Sequence, residues 1–216
     1  MTELTAYGIA MFCATALVIC VTPGPDMVYV VANGIQGGVR AGLVAAVGMA
    51  TGMLVHTMFA VTGLSLFLSS SESAFDLVKL LGASYLLFIA VQTLKSRKES
   101  LNLDDSEGLP LSKTFQRAVV TNVLNPKVAV FFLAFLPQFV PTGSQSPRTD
   151  LLVLAIAFLV VGLVVDGIIG FSSGKVRDLL AADPRVTVVM NTCSGLIFGA
   201  LGFLQLGALA ASRIAP

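Results

Sequence analysis

Charge is scarce in this chain of 216 residues: 12% are Asp, Glu, Lys or Arg, against roughly 25% in an average soluble domain. With 56% hydrophobic residues and a mean hydropathy of +0.89, that scarcity excludes a water-soluble globular chain and marks an integral membrane protein. The few charges nearly cancel, to a net +1, so nothing supports nucleic-acid binding. Basic residues are missing from Met1 to Tyr7, where Glu3 stands alone. A cleaved secretory signal begins with a basic region, so the first hydrophobic segment is expected to stay in the mature protein. Cysteine is sparse as well. Cys13, Cys20 and Cys193 lack metal-ligand spacing, and an odd number cannot pair completely within one chain; they read as small packing residues. No plausible Ser/His/Asp set or phosphate-cradling loop occurs, so no enzymatic activity is expected and no cofactor is implied.

What the chain has is length in its apolar runs. Six hydrophobic segments reach the roughly 20 residues that a bilayer core demands. They run from Tyr7 to Gln36, Ala41 to Phe67, Phe75 to Leu94, Phe115 to Val140, Leu151 to Phe171, and Val186 to Ala210. Several are rich in Val, Ile and Phe, but their length favours helix over strand, and a transmembrane barrel would need short alternating segments. The expected fold is an all-α integral membrane protein with six transmembrane helices. The only sizeable polar stretch, Lys95 to Lys113, joins residues 1–94 to residues 114–216 as a loop inside a single membrane domain.

Orientation follows from the basic residues. With the N-terminus outside, the inner loops hold Arg40, Lys95, Arg97, Lys98, Lys113, Arg117, Lys175, Arg177 and Arg185, while the outer side holds Lys79, Arg148 and Arg213. Nine against three is a positive-inside bias that places both termini outside. Each half has an odd number of spans, so the second half enters the membrane upside down relative to the first. Any internal repeat is then an inverted one.

Two of the six segments are interrupted by proline-centred polar motifs, Thr22-Pro23-Gly24-Pro25-Asp26 and Asn125-Pro126-Lys127. Proline removes a backbone donor and clashes with the preceding turn, so each motif should break its helix and free polar backbone groups. Such groups survive at membrane depth only against protein or a watery cavity. Paired breaks in corresponding positions of two halves point to a transporter whose binding site lies where they meet. A second symmetry is independent of the prolines. Gly48, Gly52 and His56 recur every four residues in the second segment, as do Gly162, Asp166 and Gly170 in the fifth. Residues four apart share a helix face, so both ionisable side chains should point into the protein. The competing explanation is coincidence, since glycine is common in membrane helices.

An intramembrane charge costs about 2.5–3.5 kcal/mol on insertion scales, which singles out Asp26, His56, Lys127 and Asp166. If the breaks face each other, Asp26 and Lys127 can pair, and a substrate bearing both an ammonium and a carboxylate can exchange with that pair. The alternative for either residue is a permanent ion pair or helix cap. His56 and Asp166 are candidates for proton coupling; the alternatives are a hydrogen-bonded packing role for His56 and a wet vestibule for Asp166, nearer the inner end of its helix. Asn33, Asn122 and Asn125 add neutral donors and acceptors near the breaks. Whether the helix from Tyr7 is a full span or a partial one stays open, and with it the depth of Asp26.

These motifs carry a resemblance. The first break, the following Gly37-Gly38-Val39-Arg40-Ala41-Gly42, and above all Thr121-Asn122-Val123-Leu124-Asn125-Pro126-Lys127 with Phe131-Phe132-Leu133-Ala134-Phe135-Leu136-Pro137-Gln138-Phe139 resemble the LysE amino-acid exporter family. They are most similar to its RhtB (homoserine/threonine exporter) branch. The similarity spans nearly the whole chain. It implies a bacterial inner-membrane permease that exports amino acids, driven by the proton gradient and often assembled as a homo-oligomer. It also marks Pro23, Gly24, Pro25 and Asp26, with Asn125, Pro126 and Lys127, as site-forming. The pair of charges at the breaks suits a small neutral amino acid such as threonine or homoserine. Two other classes stay in view, a divalent metal-cation permease and a transmembrane thiol-disulfide relay like the DsbD/CcdA family. Metal cations would call for clustered thiolates or carboxylates, which the sequence lacks. The relay fails at the second break, where Phe115 to Val140 holds no cysteine to receive electrons.

Overall fold

In the computed structural model the described residues are 4–22, 24–64, 109–141 and 144–182, with separate helical positions between 77 and 95 and between 188 and 207. Every element among them is helical. Of the expected third and sixth spans only these separate positions are described, and most of the 95–113 linker lies outside the described residues, as does Pro23.

Helix α1 runs Ala6–Val21, capped at its start by the Thr5 hydroxyl, which accepts from Gly8 N–H. It stops where expected, at the first proline motif, and Pro25 opens α2, Pro25–Phe59. That helix is not one rod. Gly38 has φ 72 and ψ −173, a region essentially reserved for glycine, and the chain turns back on itself there. The packing requires the reversal: Val30 shares one buried cluster with Ala45 and Met49, residues that a straight helix would set more than ~20 Å from it. Gly38 therefore divides the expected first span from the second, and the arm 39–59 continues into a π-helical turn, Ala60–Leu64.

The second broken span repeats this plan. Helix α3, Leu111–Val123, and helix α4, Pro126–Val130, meet at Asn125, and the composite span to Phe139 bends by 44°. Beyond α4 the helix loosens to a π turn, Phe131–Phe135, and tightens to a 3₁₀ turn, Leu136–Phe139. Pro137 lacks the N–H that an α-helix needs there, which accounts for the change of register. Helix α5, Pro147–Ala182, is longer than its expected span at both ends; the stretch Pro147–Ser173 is long and apolar enough to cross a bilayer.

The helices cross in antiparallel pairs. Along the first broken span Phe12 meets Phe131 and Phe139, Lys127 meets the α1 terminus, and Asn33 meets Thr114. The arm 39–59 runs against α5, with Gly42 on Gly170 and Met53 on Gly162. Glycine is needed at the first crossing for closeness, since a Cβ on Gly170 would lie 2.6 Å from the Gly42 carbonyl carbon. The core beneath the breaks is aromatic: Phe131 stacks on Phe158 at 4.3 Å, and Phe132 meets Phe158 edge-on. Large apolar side chains such as Tyr7, Phe59 and Leu124 face outward, where a bilayer is the matching solvent.

Candidate functional site

Both breaks are built from the same turn. Gly24 caps α2 with Pro25 and Asp26 as its first helical residues, and Asn125 caps α4 with Pro126 and Lys127. Proline belongs at a first helical position, where its missing N–H would be unpaired anyway. Asn125 also uses its side chain, accepting from Lys127 N–H at 3.0 Å. The two turns therefore present opposite charges from the same position.

Those charges meet. Lys127 Nζ lies 2.8 Å from Asp26 Oδ2, with both side chains about 5% exposed or less. Asp26 suits its place, an anion at the positive end of α2. Lys127 does not suit α4, whose start disfavours a cation by up to ~1 kcal/mol. It reaches instead to the end of α1, donating to Thr22 O at 3.0 Å and Ile19 O at 3.5 Å. Hydrogen bonds to a charged group contribute about 1.5–3 kcal/mol each, so the remote partners outweigh the local dipole. The Thr22 carbonyl lies at the break itself, where the helix supplies no further N–H, and Ile19 O is shared with the Thr22 N–H at 3.2 Å.

The second break has a parallel arrangement. His56 Nε2 lies 3.1 Å from Asn122 O, at the end of α3, and its ring lies against Phe132. A nitrogen that bonds a carbonyl carries the proton, so Nε2 is the donor. Gly52, one turn earlier, makes room for α3: a Cβ there would meet the Asn122 Cβ at 2.7 Å. Gly48, Gly52 and His56 are all buried, as are Gly162, Asp166 and Gly170, so both four-residue rows do face inward. Asp166 lies within electrostatic reach of Asp26 and Lys127, and one turn before it Gly162 packs against Met53 and Cys20.

The structure thus gathers Gly24, Asp26, Asn125 and Lys127 at the breaks, with Pro25 and Pro126 shaping the turns and Asp166 buried within electrostatic reach of the pair. His56 and Asn122 form an adjoining contact. Asn33 stands apart, two turns along α2 from Asp26: its amide donates to Tyr29 O at 2.8 Å and accepts from the Thr114 hydroxyl at 3.3 Å, tying the first arm to α3. Among the described residues four buried side-chain polar atoms have no partner, namely Asp26 Oδ1, Asn122 Nδ2 and Oδ1, and Asn125 Nδ2.

A family model for LysE type translocators matches residues 17–207. The chain belongs to the LysE type translocator family. Relatives of this LysE-type protein include an uncharacterized membrane protein of Vibrio cholerae, 30% identical over 197 residues that cover 88% of this chain and 92% of the relative. Another is a leucine efflux protein of Enterobacter sp. strain 638, 30% identical over 186 residues, 85% of this chain and 87% of the relative. A leucine efflux protein of Salmonella typhimurium is 26% identical over 184 residues, with 85% and 87% covered. No solved structure matches the chain.

Some participants in the translocator's site were not singled out from sequence. The Ile19 and Thr22 carbonyls hold Lys127, and Cys20 is buried beside them. The available signal was Lys127 itself, a cation at a helix start, which has to find its partners elsewhere.

Proposed function

We propose that the protein is a secondary transporter that exports neutral amino acids from the cytoplasm. The observation that carries this reading is the buried Asp26–Lys127 pair bridging two broken helices. Both charges are held by opposite helix ends, in the geometry that answers the ammonium and carboxylate of a zwitterion. The family membership and the leucine efflux proteins among the relatives support amino-acid export. Apolar neighbours of Lys127, among them Ile19, Val128 and Phe131, suit an uncharged aliphatic side chain, so leucine joins threonine and homoserine as a candidate.

The transport unit is one membrane domain of two inverted three-helix halves, residues 1–94 and 114–216, in the bacterial inner membrane with both termini outside. The repeated capping turn, the antiparallel crossings and the matched glycine rows support the inverted arrangement. At the edges of the described residues Gly195 packs against Leu94 and Gly202 against Leu87, an antiparallel crossing of the remaining two spans. Protons drive the export, with Asp166 and His56 as the residues that exchange them. Among the described residues no three His, Cys, Asp or Glu side chains gather as a metal site, and metal cations rank below amino acids as cargo.

Inverted or right-side-out vesicles loaded with labelled leucine, threonine, homoserine, cysteine, lysine or arginine test this reading, with and without a pH gradient, for the native chain and Lys127→Ala. One neutral class should leave faster through the native protein, and collapsing the gradient should slow it. If no amino acid moves, or Lys127→Ala transports as well as native, the reading is wrong.

A further inference from the structure

Hydrogen-bonding capacity at the breaks is unevenly used. An ammonium has three N–H donors, and Lys127 Nζ has three acceptors, Asp26 Oδ2, Thr22 O and Ile19 O. It has no donor left for a substrate. The unused capacity lies elsewhere: acceptors at Asp26 Oδ1 and Asn122 Oδ1, donors at Asn122 Nδ2 and Asn125 Nδ2. Asn125 cannot turn its donor away, because its oxygen is committed to Lys127 N–H at 3.0 Å. Buried polar atoms without partners are rare in native proteins and call for an explanation. Four of them, two donating and two accepting, match the head of an α-amino acid, whose carboxylate only accepts and whose ammonium only donates.

The backbone of the first break packs tightly against the acid. Asp26 Oδ1 faces Gly24, where a Cβ would lie 2.7 Å from it and 3.0 Å from Lys127 Nζ. Gly24 has an ordinary extended backbone, φ −162 and ψ 179, so closeness to the pair, not conformation, sets the demand for glycine. All four unpaired atoms are shut off from the surface in this arrangement. A ligand reaches them when the half-helices part, which alternation of the transporter supplies.

We propose that the amide N–H groups of Asn122 and Asn125 hold the substrate's α-carboxylate and Asp26 Oδ1 its α-ammonium, while Lys127 positions Asp26 and does not touch the substrate. This rests on the exporter reading and assigns the carboxylate to the amides in place of the lysine. Recognition of the α-amino-acid head is then shared, the carboxylate at the second break and the ammonium at the first, and the side chain is left to the apolar surroundings.

Asn125→Asp is the discriminating variant. Aspartate keeps the acceptor for Lys127 N–H and is as good a helix cap as asparagine, but it loses the Nδ2 donor and opposes a carboxylate. Counterflow of labelled leucine and threonine into proteoliposomes is measured for the native chain, Asn125→Asp and Asn122→Leu, with leucinol, which lacks the carboxylate, as competitor. The expected result is a rise in apparent KM of at least about tenfold in both variants, the worth of one hydrogen bond to a charged group. Inhibition of Asn125→Asp by leucinol should be unchanged or stronger, and neither variant should melt below the native protein. Native KM in Asn125→Asp overturns the proposal. So does a rise in KM that only follows a fall in melting temperature, which marks Asn125 as a structural cap. If the native chain moves neither amino acid, the exporter reading itself fails and takes this assignment with it.

Discussion

Removing the ammonium of Lys127 should destabilise the protein more than removing the charge of Asp26, and removing both should restore part of the loss. Lys127→Met keeps most of the stem but takes the donor from three oxygens, at 2.8, 3.0 and 3.5 Å. It leaves Asp26 as a buried carboxylate whose other oxygen already lacks a partner. Breaking a buried pair from one side costs about 3–5 kcal/mol. Asp26→Asn leaves Lys127 bonded to two carbonyls at a helix C-terminus, where a cation is favoured, so the loss is closer to one charge-assisted hydrogen bond, about 1.5–3 kcal/mol. The double variant Asp26→Asn/Lys127→Met buries no charge and should cost less than Lys127→Met alone, giving a coupling energy of at least ~1 kcal/mol. Thermal unfolding of the four purified proteins in nanodiscs, with denaturant titration to convert midpoints to free energies, reads the cycle. Additive losses, or a Lys127→Met no less stable than Asp26→Asn, would refute the buried-pair argument.

Other outcomes follow from the same geometry. Gly38→Ala places a side chain at φ 72 and should cost about 1–3 kcal/mol, read as a lower melting temperature with no change in substrate preference. Gly52→Ala brings a Cβ within 2.7 Å of the Asn122 Cβ and 3.0 Å of Val119 O; the arm 39–59 and α3 must separate, at about 1–3 kcal/mol, and histidine NMR should show loss of the His56 bond to Asn122 O. Asp166→Asn keeps the shape of the buried carboxylate but cannot exchange a proton, so efflux should become insensitive to the pH gradient while counterflow persists. Unchanged gradient dependence would remove Asp166 from the coupling.

The sequence made some of this legible because the signals were local. Proline at a first helical position and a glycine or asparagine cap leave a readable mark, and both breaks lie where the motifs put them. The inward direction of His56 and Asp166 was equally readable, since residues four apart share a face and charges avoid lipid. A reversal between the first two spans was readable as well, since the apolar segments stop at Gln36 and resume at Ala41; the positive φ of Gly38 and the cluster that joins Val30 to Ala45 and Met49 fix the residue at which the chain folds back. The partner of Asn33 was not readable: its polarity near a break pointed to the site, and the fold pairs it with Thr114, 81 positions away. The carbonyl partners of Lys127 were beyond sequence reading, because every residue has a carbonyl and only the fold decides which ones a distant donor reaches.

The central claim is that the meeting of the two breaks is where an amino acid binds and crosses. Leucine and threonine counterflow in proteoliposomes, comparing the native chain with the uncharged double variant Asp26→Asn/Lys127→Met, tests it most directly, once unfolding has shown that the double variant is folded. Transport by the native protein and none by the folded double variant is the predicted result. Equal transport by both would mean that the paired breaks are scaffold and that the substrate passes elsewhere.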